Sequence, residues 1–495
     1  MKRRTNRILS ILLVVLSLAL LAGAGFLLVQ VLPQKAPQEV TSLETNSVFE
    51  KEDAVVEPER EQAYEGEIPP AAETQPEPDT QPSVDQPEQT EPSDTGLISA
   101  EADKRARTTL ASMTADEKIW QLFYVTPELL TGVETATRAG DSTKNALEEQ
   151  PVGGIIYFAK NLESRAQTQE MLHNTKAYTK IPLFLGTDEE GGTVSRVGSN
   201  PAMGAKEFAS AQSLGEQADP AAVYQAGQDI GGTLHAIGFN MDFAPVADVS
   251  SGASAVIGSR SFGTDPQLCA SLVSIMTQSL TAEEIAPCLK HFPGYGSAIT
   301  DDHYGTSILT KTQEELEACD FLPFSSGIAS GAPFVMVSHL SVPEVVGDET
   351  PSDLSSKIVS DLLRNKLGFT GVIITDSHQM ASITDHYTSG EAAVKALQAG
   401  VDMILMPQDL QAAFDGVKQA LSDGTLMQAR IDESVLRILQ VKAEYKGSLP
   451  WNPKDFAVLR SIKKSAACAA ASPTILMSTP TSSASLRQRS SSRAA

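Results

Sequence analysis

The segment 290–303 gathers cations, imidazoles and carboxylates into one short stretch of chain. It begins with Lys290 and His291 at the end of an apolar run, and it ends with Asp301, a second aspartate and His303. Proline and glycines at 293, 294 and 296 predict a tight turn, which would present the polar groups on a loop. A carboxylate two residues from a histidine can bind the imidazole, fix its tautomer and raise its basicity. The spacing therefore predicts a proton-transfer pair at Asp301 and His303.

Short apolar runs alternate with amphipathic stretches along the chain that surrounds this segment. Runs of this length predict strands buried on both faces of a parallel sheet, and they lie at 154–158, 182–186, 239–243, 287–290, 334–337, 372–375 and 403–406. Helical patterns lie between them, for example at 205–214, 221–237, 266–281, 312–328, 355–366 and 390–399. About seven or eight strand–helix units predict an α/β fold closed into a TIM-type (β/α)8 barrel.

The amino-terminal edge of this region carries a helix signal. Thr114 and Glu117 have the spacing of a capping box, in which each side chain accepts a hydrogen bond from the other residue's backbone. The apolar residues that follow predict that this helix continues through Ile119, Leu122 and Phe123.

Polar side chains follow five of the apolar runs, at the point where each predicted strand ends. They are Asp188, Asp248, Lys290 with His291, His339 and Asp376. TIM-barrel enzymes collect their working groups at the carboxyl ends of the strands. The sequence therefore predicts that these residues surround one pocket at that end of the barrel.

Five motifs resemble, in the same order, those of the family-3 glycoside hydrolases, in their β-N-acetylglucosaminidase branch. Residues 188–196 (D-E-E-G-G-T-V-S-R) are similar to the family's D-x-E-G-G-x-V-x-R motif, and residues 241–248 and 258–262 are similar to its next two signatures. The run K-H-F-P-G at 290–294, with D-x-H at 301–303, resembles the segment that distinguishes this branch. I-T-D at 374–376 resembles the nucleophile strand. The resemblance implies one catalytic barrel domain of this family, with predicted bounds 99–460.

Carried over by position, the resemblance implies a retaining β-N-acetylglucosaminidase. Asp376 would be the catalytic nucleophile and His303 the acid/base, oriented and charged by Asp301. The sugar's hydroxyl and N-acetyl groups would be held by Asp188, Arg196, Arg260, Lys290 and His291. Such a reaction needs a proton donor for the departing oxygen and a carboxylate at the anomeric carbon. A histidine can supply the proton, because its ordinary pKa of about 6.5 lets it donate and accept near neutral pH.

Two positions depart from the family's pattern. Tyr295 stands where the family usually has histidine, in K-H-F-P-G-H-G, and Asp376 is followed by Ser377 and His378 where many relatives carry Asp-Leu. The first change bears on the geometry of the loop, and the second bears on the surroundings and the pKa of the nucleophile.

The ends of the chain predict how the barrel is held. Four basic residues within 1–7 precede an uncharged apolar stretch, 8–32, which is long enough to cross a bilayer. The positive charges predict an amino terminus in the cytoplasm and a catalytic domain beyond the membrane, as a single-pass protein. A long secretory signal is the alternative, since residues 22–24 (A-G-A) fit a cleavage site, and the protein would then be secreted.

Composition excludes several other partners. Residues 33–98 hold ten prolines and 17 acidic residues against three basic ones, which predicts a disordered, extended linker, and this segment supplies −14 of the net charge of −24. An acidic chain argues against binding nucleic acid. Residues 461–495 have five basic residues and no acidic ones, are rich in serine and alanine, and are predicted to be a disordered tail. We expect an amino-sugar oligosaccharide as substrate, the bacterial membrane as the other partner, no cofactor, and a monomer.

Three alternatives remain open from the residues. A metal-dependent barrel hydrolase would use His291, His303, His339, His378 and Asp376, although no H-x-H pair closes the first strand. A non-catalytic wall-binding module would keep the scaffold and lose the chemistry. Within the family, a β-glucosidase-type or phosphorolytic member is the third alternative. β-Glucosidases of the family usually take the acid from a second α/β domain. We expect no room for such a domain in the residues that follow the barrel.

Overall fold

The computed structural model of the chain describes residues 98–252, 256–298, 300 and 305–445. Ten strands occur in this part of the chain: β1 (Phe123–Val125), β2 (Gly154–Ile156), β3 (Phe184–Thr187), β4 (Glu189–Gly191), β5 (Val194–Ser195), β6 (Met241–Asp242), β7 (Ala286–Phe292), β8 (Phe334–Val337), β9 (Val372–Ser377) and β10 (Met403–Leu405). Eight of them form a closed parallel barrel in the order β1, β2, β3, β6, β7, β8, β9, β10. The remaining two, β4 and β5, form an antiparallel hairpin. The predicted α/β barrel is therefore confirmed.

Helices connect the barrel strands in chain order. The described α-helices are Ala100–Ser112, Ala115–Trp120, Pro127–Thr131, Asp141–Glu149, Arg165–Ala177, Ala211–Gln217, Pro220–Ile237, Pro266–Ala282, Gln313–Ala318, Phe321–Ala329, Pro343–Val346, Ala381–Thr384, Ser389–Ala399, Leu410–Ser422 and Gln428–Glu444. Lys357–Lys366 is a π-helix. Many of these helices begin at a Ser, Thr or Asp whose side chain accepts a backbone N–H, as at Thr388 and Asp265. Such caps satisfy orphan donors and fix where each helix starts.

Aromatic side chains fill the barrel. Phe184 of β3 and Phe334 of β8 meet edge to face with ring centroids 5.0 Å apart, and Tyr124 of β1 meets Phe243 in the same way at 5.2 Å. Each pair joins strands that are not neighbours in the sheet, so the contacts lie inside the barrel. All four rings are fully buried. The barrel is thus a packed core, and the strand ends are the places left for chemistry.

The prediction for residues 114–123 was wrong at its end. Thr114 and Glu117 do form the predicted capping box, but the helix stops at Trp120 and Phe123 lies in β1. Phe123 is in register with Ile404 of β10, and Tyr124 is in register with Gly154 of β2. Because β1 closes the barrel by pairing on both sides, this long-range pairing overrides the local helical pattern.

Two other predicted helices differ from the structure. The segment 205–214 is helical only from Ala211, because Ser210 caps the helix there and the Phe208 carbonyl accepts the Gly192 N–H instead. The segment 312–328 divides into two helices around Asp320, whose carboxylate is buried and accepts a hydrogen bond from Lys311 at 2.6 Å. In the first place the helix begins later than predicted, and in the second a buried side chain lies between two separate helices.

None of the helices in the described ranges has the length and apolar character needed to cross a bilayer. The predicted anchor at 1–32, the linker up to residue 97 and the tail at 461–495 lie outside the described residues.

A cluster of charged side chains lies at the amino-terminal end of the strands, just before β10. The carboxylate of Asp402 is fully buried and accepts hydrogen bonds from Arg364 at 2.6 Å and from Arg437 at 3.1 Å, while Arg430 lies 3.6 Å away. Burial alone would raise the pKa of Asp402, but the three guanidinium groups lower it below its ordinary value. The cluster joins β10 to the helices Lys357–Lys366 and Gln428–Glu444.

We expect Asp402→Asn to lower the free energy of unfolding by about 3–5 kcal/mol, because three partly buried arginines lose the buried carboxylate that they share. Lys418→Ala is the control: its pair with Asp116 is 2.8 Å long but half exposed, and its loss should cost less than about 1 kcal/mol. Urea denaturation of the two variants beside the unchanged chain measures both values. Equal losses would show that the cluster has no special role in stability.

Candidate active site

A cavity of about 490 Å³ opens at the carboxyl ends of the barrel strands. Six of the eight residues predicted for the site line it: Asp188, Arg196, Arg260, Lys290, His291 and Asp376. Glu190 and Tyr295 line it as well. The other two predicted residues, Asp301 and His303, lie outside the described residues, so the predicted proton-transfer pair has no structural account here.

Lys290 is the buried centre of the cavity's polar wall. Its ammonium Nζ donates to Asp188 Oδ1 at 2.9 Å and lies 2.6 Å from Glu190 Oε1, and the side chain is only 3% exposed. Burial opposes the charged form, but the two carboxylates raise the pKa of Lys290 above its ordinary value. Lys290 is therefore a fixed cation, held between the end of β3 and the hairpin strand β4.

Arg260 is fixed by the same carboxylate. Its Nε and one terminal nitrogen donate to the two oxygens of Glu190 at 2.8 and 2.9 Å, which is the bidentate geometry that best fits a guanidinium. Burial would raise the pKa of Glu190, but Lys290 and Arg260 together lower it to about 2. Glu190 is thus ionised at every ordinary pH, and it holds two cations at the cavity wall.

Arg196 lies on the other side of Asp188. One terminal nitrogen is 3.6 Å from Asp188 Oδ2, and its guanidinium lies over the Phe158 ring, 5.7 Å from the centroid. The side chain comes from the end of the β4–β5 hairpin and stays partly exposed. Asp188 therefore faces two cations and keeps a water-accessible edge toward the cavity.

His291 is held from behind by Asp248. The backbone N–H of His291 and its Nδ1 both contact this carboxylate, the ring contact at 2.7 Å, and the N–H of Tyr295 donates to it at 2.6 Å. Arg260 lies 3.3 Å from Nε2 of the same ring. Because arginine can only donate, Nε2 acts as the acceptor and Nδ1–H points to Asp248. One buried carboxylate thus fixes the tautomer of His291 and the turn after β7.

Tyr295, where the family usually has histidine, contacts two described residues of the loop after β7. Its hydroxyl donates to the Thr300 carbonyl at 3.2 Å and lies 3.4 Å from the Ser307 hydroxyl. The ring also lines the cavity. The departure noted in the sequence therefore links the two ends of the loop that carries Asp301 and His303.

Asp376 lies at the end of β9, with its side chain partly exposed to the cavity. Its Oδ1 accepts the Ser377 N–H at 2.7 Å. Burial opposes ionisation, but the His291 and His339 rings, this N–H and Lys290 lower the pKa of Asp376 below its ordinary value. An ionised carboxylate at this position can attack an electron-poor carbon of a bound molecule.

The histidines of the metal-dependent alternative fall into two groups. His291 binds Asp248, whereas His339 and His378 both bind Asp353, and the nitrogen and oxygen atoms of this second group lie within 4.8 Å of one another. All three side chains of the second group are buried. Asp376 and His291 are not members of it, so the described residues do not unite the set that this alternative requires.

Glu190 of the cavity wall and Asp353, which is buried behind it, were not singled out from the sequence. Glu190 lies two positions after Asp188, and side chains at this spacing in an extended strand point to the same side, which is the signal that could have found it. Asp353 lies in a 3-10 turn, Ser352–Leu354, with no neighbouring motif, and no local signal marks it. Its partners come from the ends of two different strands.

An ionised carboxylate, fixed cations and an oriented imidazole surround one cavity, at the end of the barrel where TIM-barrel enzymes carry their active sites. The fold and the site thus have the form of a barrel enzyme for a polar substrate. Residues 114–441 match the glycosyl hydrolase family 3 N terminal domain. The chain belongs to glycosyl hydrolase family 3.

Curated relatives and solved structures agree with this family. The chain is 30% identical over 340 residues to "Beta-hexosaminidase A" of Pseudoalteromonas piscicida, and this match covers 63% of the chain and 56% of the relative. It is 35% identical over 281 residues to "Beta-hexosaminidase LpqI" of Mycobacterium tuberculosis, covering 54% of the chain and 70% of the relative. A β-N-acetylglucosaminidase structure from Paenibacillus sp. strain FPU-7 aligns with a TM-score of 0.65 at 32% identity, covering 69% of this chain and 64% of that one. The chain therefore spans only part of the length of some of these relatives.

In Glu190→Gln, Lys290 and Arg260 lose a shared anion. We therefore expect kcat/KM of the family's glycosidase reaction to fall at least about tenfold. The free energy of unfolding should fall by about 3 kcal/mol at pH 7. The stabilisation has a definite pH dependence. The pKa of Glu190 is about 2 in the fold against 4.5 ordinarily, so its contribution is complete above about pH 5 and is lost as the pH falls toward 2. The stability difference between the two proteins should shrink accordingly, and the exposed Glu148→Gln is the control. A constant difference from pH 7 to pH 3 would contradict the assignment.

Proposed function

We propose that the protein is a retaining β-N-acetylglucosaminidase that removes terminal β-linked N-acetylglucosamine from cell-wall-derived or chitin-type oligosaccharides. The observation that carries this proposal is the position of Asp376, an ionised carboxylate at a barrel strand end, in one cavity with the Lys290, Asp188 and Arg196 wall. Membership of glycosyl hydrolase family 3 and the β-hexosaminidase names of the relatives support the choice of reaction.

The proposed reaction needs two groups on opposite sides of the scissile bond. A carboxylate oxygen of Asp376 forms a bond to the anomeric carbon while the glycosidic C–O bond breaks, and His303 gives its proton to the departing oxygen. His303 then removes a proton from water, which attacks the same carbon and releases Asp376. Two displacements at one carbon retain its configuration. The roles of His303 and of Asp301, which orients it, rest on the sequence motif.

The cation-rich wall accounts for sugar binding. Asp188 accepts hydrogen bonds from sugar hydroxyls on its exposed edge, while Lys290 and Arg196 hold that carboxylate and donate to hydroxyl oxygens. Arg260 and His291 lie farther along the same wall and face the N-acetyl group. Because Glu190 and Asp248 already fix these side chains, little ordering is left to occur when the sugar binds.

A second, more open depression adjoins the cavity, and its position favours an oligosaccharide as the substrate. Both share Phe158, Arg196, Gln379 and Met406 in their walls. The depression extends to residues after β1 and β2, among them Glu128, Val133 and Lys160. Further sugar units of the leaving group would occupy this region, beyond the sugar that reacts at Asp376.

We also place the enzyme outside the cytoplasm. The basic residues before the uncharged segment 8–32 favour a single membrane anchor with the barrel on the outer side, and the acidic segment 33–98 would serve as its tether. This placement would bring the barrel to fragments of the bacterial cell wall and gives the enzyme a role in peptidoglycan turnover.

The reaction is tested with aryl β-N-acetylglucosaminide, β-glucoside and β-xyloside substrates, each with and without phosphate and with a chelator. We expect the first substrate to be hydrolysed fastest, with no gain from phosphate and no loss with the chelator. Asp376→Ala should lower kcat at least about 10³-fold, since it removes the attacking group, whereas the exposed Asp385→Ala should not. Turnover that survives Asp376→Ala would refute the nucleophile assignment.

The same substrates examine the proton donor. His303→Ala should slow the hydrolysis of substrates with poor leaving groups much more than that of substrates with activated aryl groups, because the latter groups depart without a proton.

Faster turnover of the β-glucoside, or turnover only with phosphate, would assign the chain to the other activities of the family. Comparing a chitin disaccharide with a tetrasaccharide tests the depression beside the cavity.

The location is tested by fractionating cells that produce the full chain. We expect it in the membrane fraction, with the barrel open to protease added outside the cytoplasm, and a chain lacking residues 1–32 in the soluble cytoplasmic fraction. Release of a shortened chain into the medium would indicate a cleaved signal. A full-length chain that stays soluble in the cytoplasm would refute the anchor.

A further inference from the structure

One buried carboxylate bridges two histidines directly behind the candidate nucleophile. Asp353 Oδ1 lies 3.0 Å from Nδ1 of His339, and Asp353 Oδ2 lies 2.9 Å from Nε2 of His378. His339 follows β8, His378 follows β9, and their ring centroids are 5.6 Å apart. All three side chains are at most 2% exposed. We name His339, Asp353 and His378 the buried triad.

One hydrogen bond and one ion-pair contact bear on the protonation of His339. Its Nε2 lies 2.9 Å from the Ser377 carbonyl oxygen, and its Nδ1 faces the Asp353 carboxylate. The Ser377 carbonyl oxygen can only accept, so Nε2 carries a hydrogen. Nδ1 lies 3.0 Å from a carboxylate oxygen, where an unprotonated nitrogen would place its lone pair against a negative charge. A neutral imidazole has only one N–H. The ion-pair distance to Asp353 therefore favours an imidazolium ion at His339.

The charges of the other two members fit this requirement. Burial would raise the pKa of Asp353, but His339 and His378 lower it to about 2, so the carboxylate stays ionised. Burial lowers the pKa of His378 below its ordinary value, which keeps that ring neutral and lets its Nε2–H donate to Asp353. The triad then holds one positive and one negative charge, which removes the cost of an unpaired buried ion.

Ser377 connects the triad to the nucleophile. Its carbonyl oxygen accepts the hydrogen bond from His339, and its N–H donates to Asp376 Oδ1 at 2.7 Å. The residue that orients Asp376 is therefore itself held by the imidazolium ion. The positive charge of His339 also contributes to the low pKa of Asp376.

Other titratable groups surround these residues. Besides His339, Asp376 faces His291, Lys290 and the buried thiol of Cys288. Tyr387 lies near Asp353. Of these, His291 and Lys290 belong to the cavity wall and are bound to carboxylates other than Asp353. A change at Asp353 therefore acts on the nucleophile through His339.

We propose that His339, kept protonated by Asp353 and with His378 completing that carboxylate's hydrogen bonds, is a positioning residue that fixes Ser377 and holds Asp376 ionised and in place for attack. This role rests on the proposed glycosidase reaction only for its kinetic consequence. The protonation of His339 is a property of the fold. His378, which departs from the family's pattern, has a partner in Asp353 that accounts for a polar residue in this position.

The first experiment is independent of catalysis. The full chain, labelled with ¹⁵N-histidine, is titrated by NMR, and the signals of His339 are identified by their loss in His339→Gln. We expect both ring nitrogens of His339 to stay protonated from pH 6 to pH 9, and this imidazolium signal to become neutral at pH 8 in Asp353→Asn. A His339 that is neutral at pH 8 in the unchanged chain would overturn the proposal.

Metal analysis of the same samples separates a proton from a metal ion in this position. We expect the unchanged chain to contain no metal ion that is lost in Asp353→Asn. A stoichiometric metal ion that is lost in Asp353→Asn would mean that the metal, and not a proton, joins His339 to Asp353, and the proposal would be wrong.

The second experiment measures the effect on the reaction. Asp353→Asn should lower kcat at least about tenfold with KM within twofold, and it should move the acidic limb of the kcat/KM profile upward by about one pH unit, because Asp376 loses a nearby positive charge. His378→Gln keeps a donor for Asp353 and should leave that limb in place. A loss of thermal stability in Asp353→Asn with an unmoved limb would mean that the triad is only structural. An unchanged chain that hydrolyses no glycoside would refute the proposed function, while the NMR result would still decide the protonation of His339.

Discussion

A buried ammonium ion requires buried carboxylates, and the site depends on how Lys290 meets this requirement. Its two partners come from the end of β3 and from the hairpin strand β4, although Lys290 itself lies in β7. The hairpin gives Glu190 its place in the wall and brings Arg196 to the opposite side of Asp188. Without Glu190, Lys290 and Arg260 would be two adjacent buried cations that share no counter-ion. The arrangement of the cavity's polar wall is therefore a consequence of neutralising Lys290.

The barrel separates this ionic group from the one that stabilises the other end of the strands. Asp402 and its arginines lie at the amino-terminal end and tie helices to β10, far along the strands from the cavity. Packed aromatic rings such as Phe184 and Phe334 fill the space between the two ends. An apolar core therefore separates the ion pairs of the cavity from the Asp402 cluster at the opposite end of the strands.

Charged and polar groups act on Asp376 from two directions. Lys290 and His291 lie on the cavity side, and the buried triad lies behind the strand end and reaches Asp376 through Ser377. A molecule bound in the cavity would contact the groups on the cavity side but not the buried triad. The triad would thus provide a constant part of the field at Asp376, while the cavity side responds to the substrate.

The sequence by itself determined the α/β barrel, most of its strands, and the chemical groups at their ends. Each of these is a local property: an apolar run a few residues long, or a polar residue directly after it, as at Asp188, Lys290 and Asp376. Tertiary structure alone decided that Phe123 lies in a strand, because barrel closure pairs β1 with strands on both sides. It also decided that Lys290 meets Glu190 and that Asp353 joins His339 to His378. These partners lie far apart in the chain, and only the folded barrel brings their charges to hydrogen-bonding distance, where burial makes each one necessary to the others.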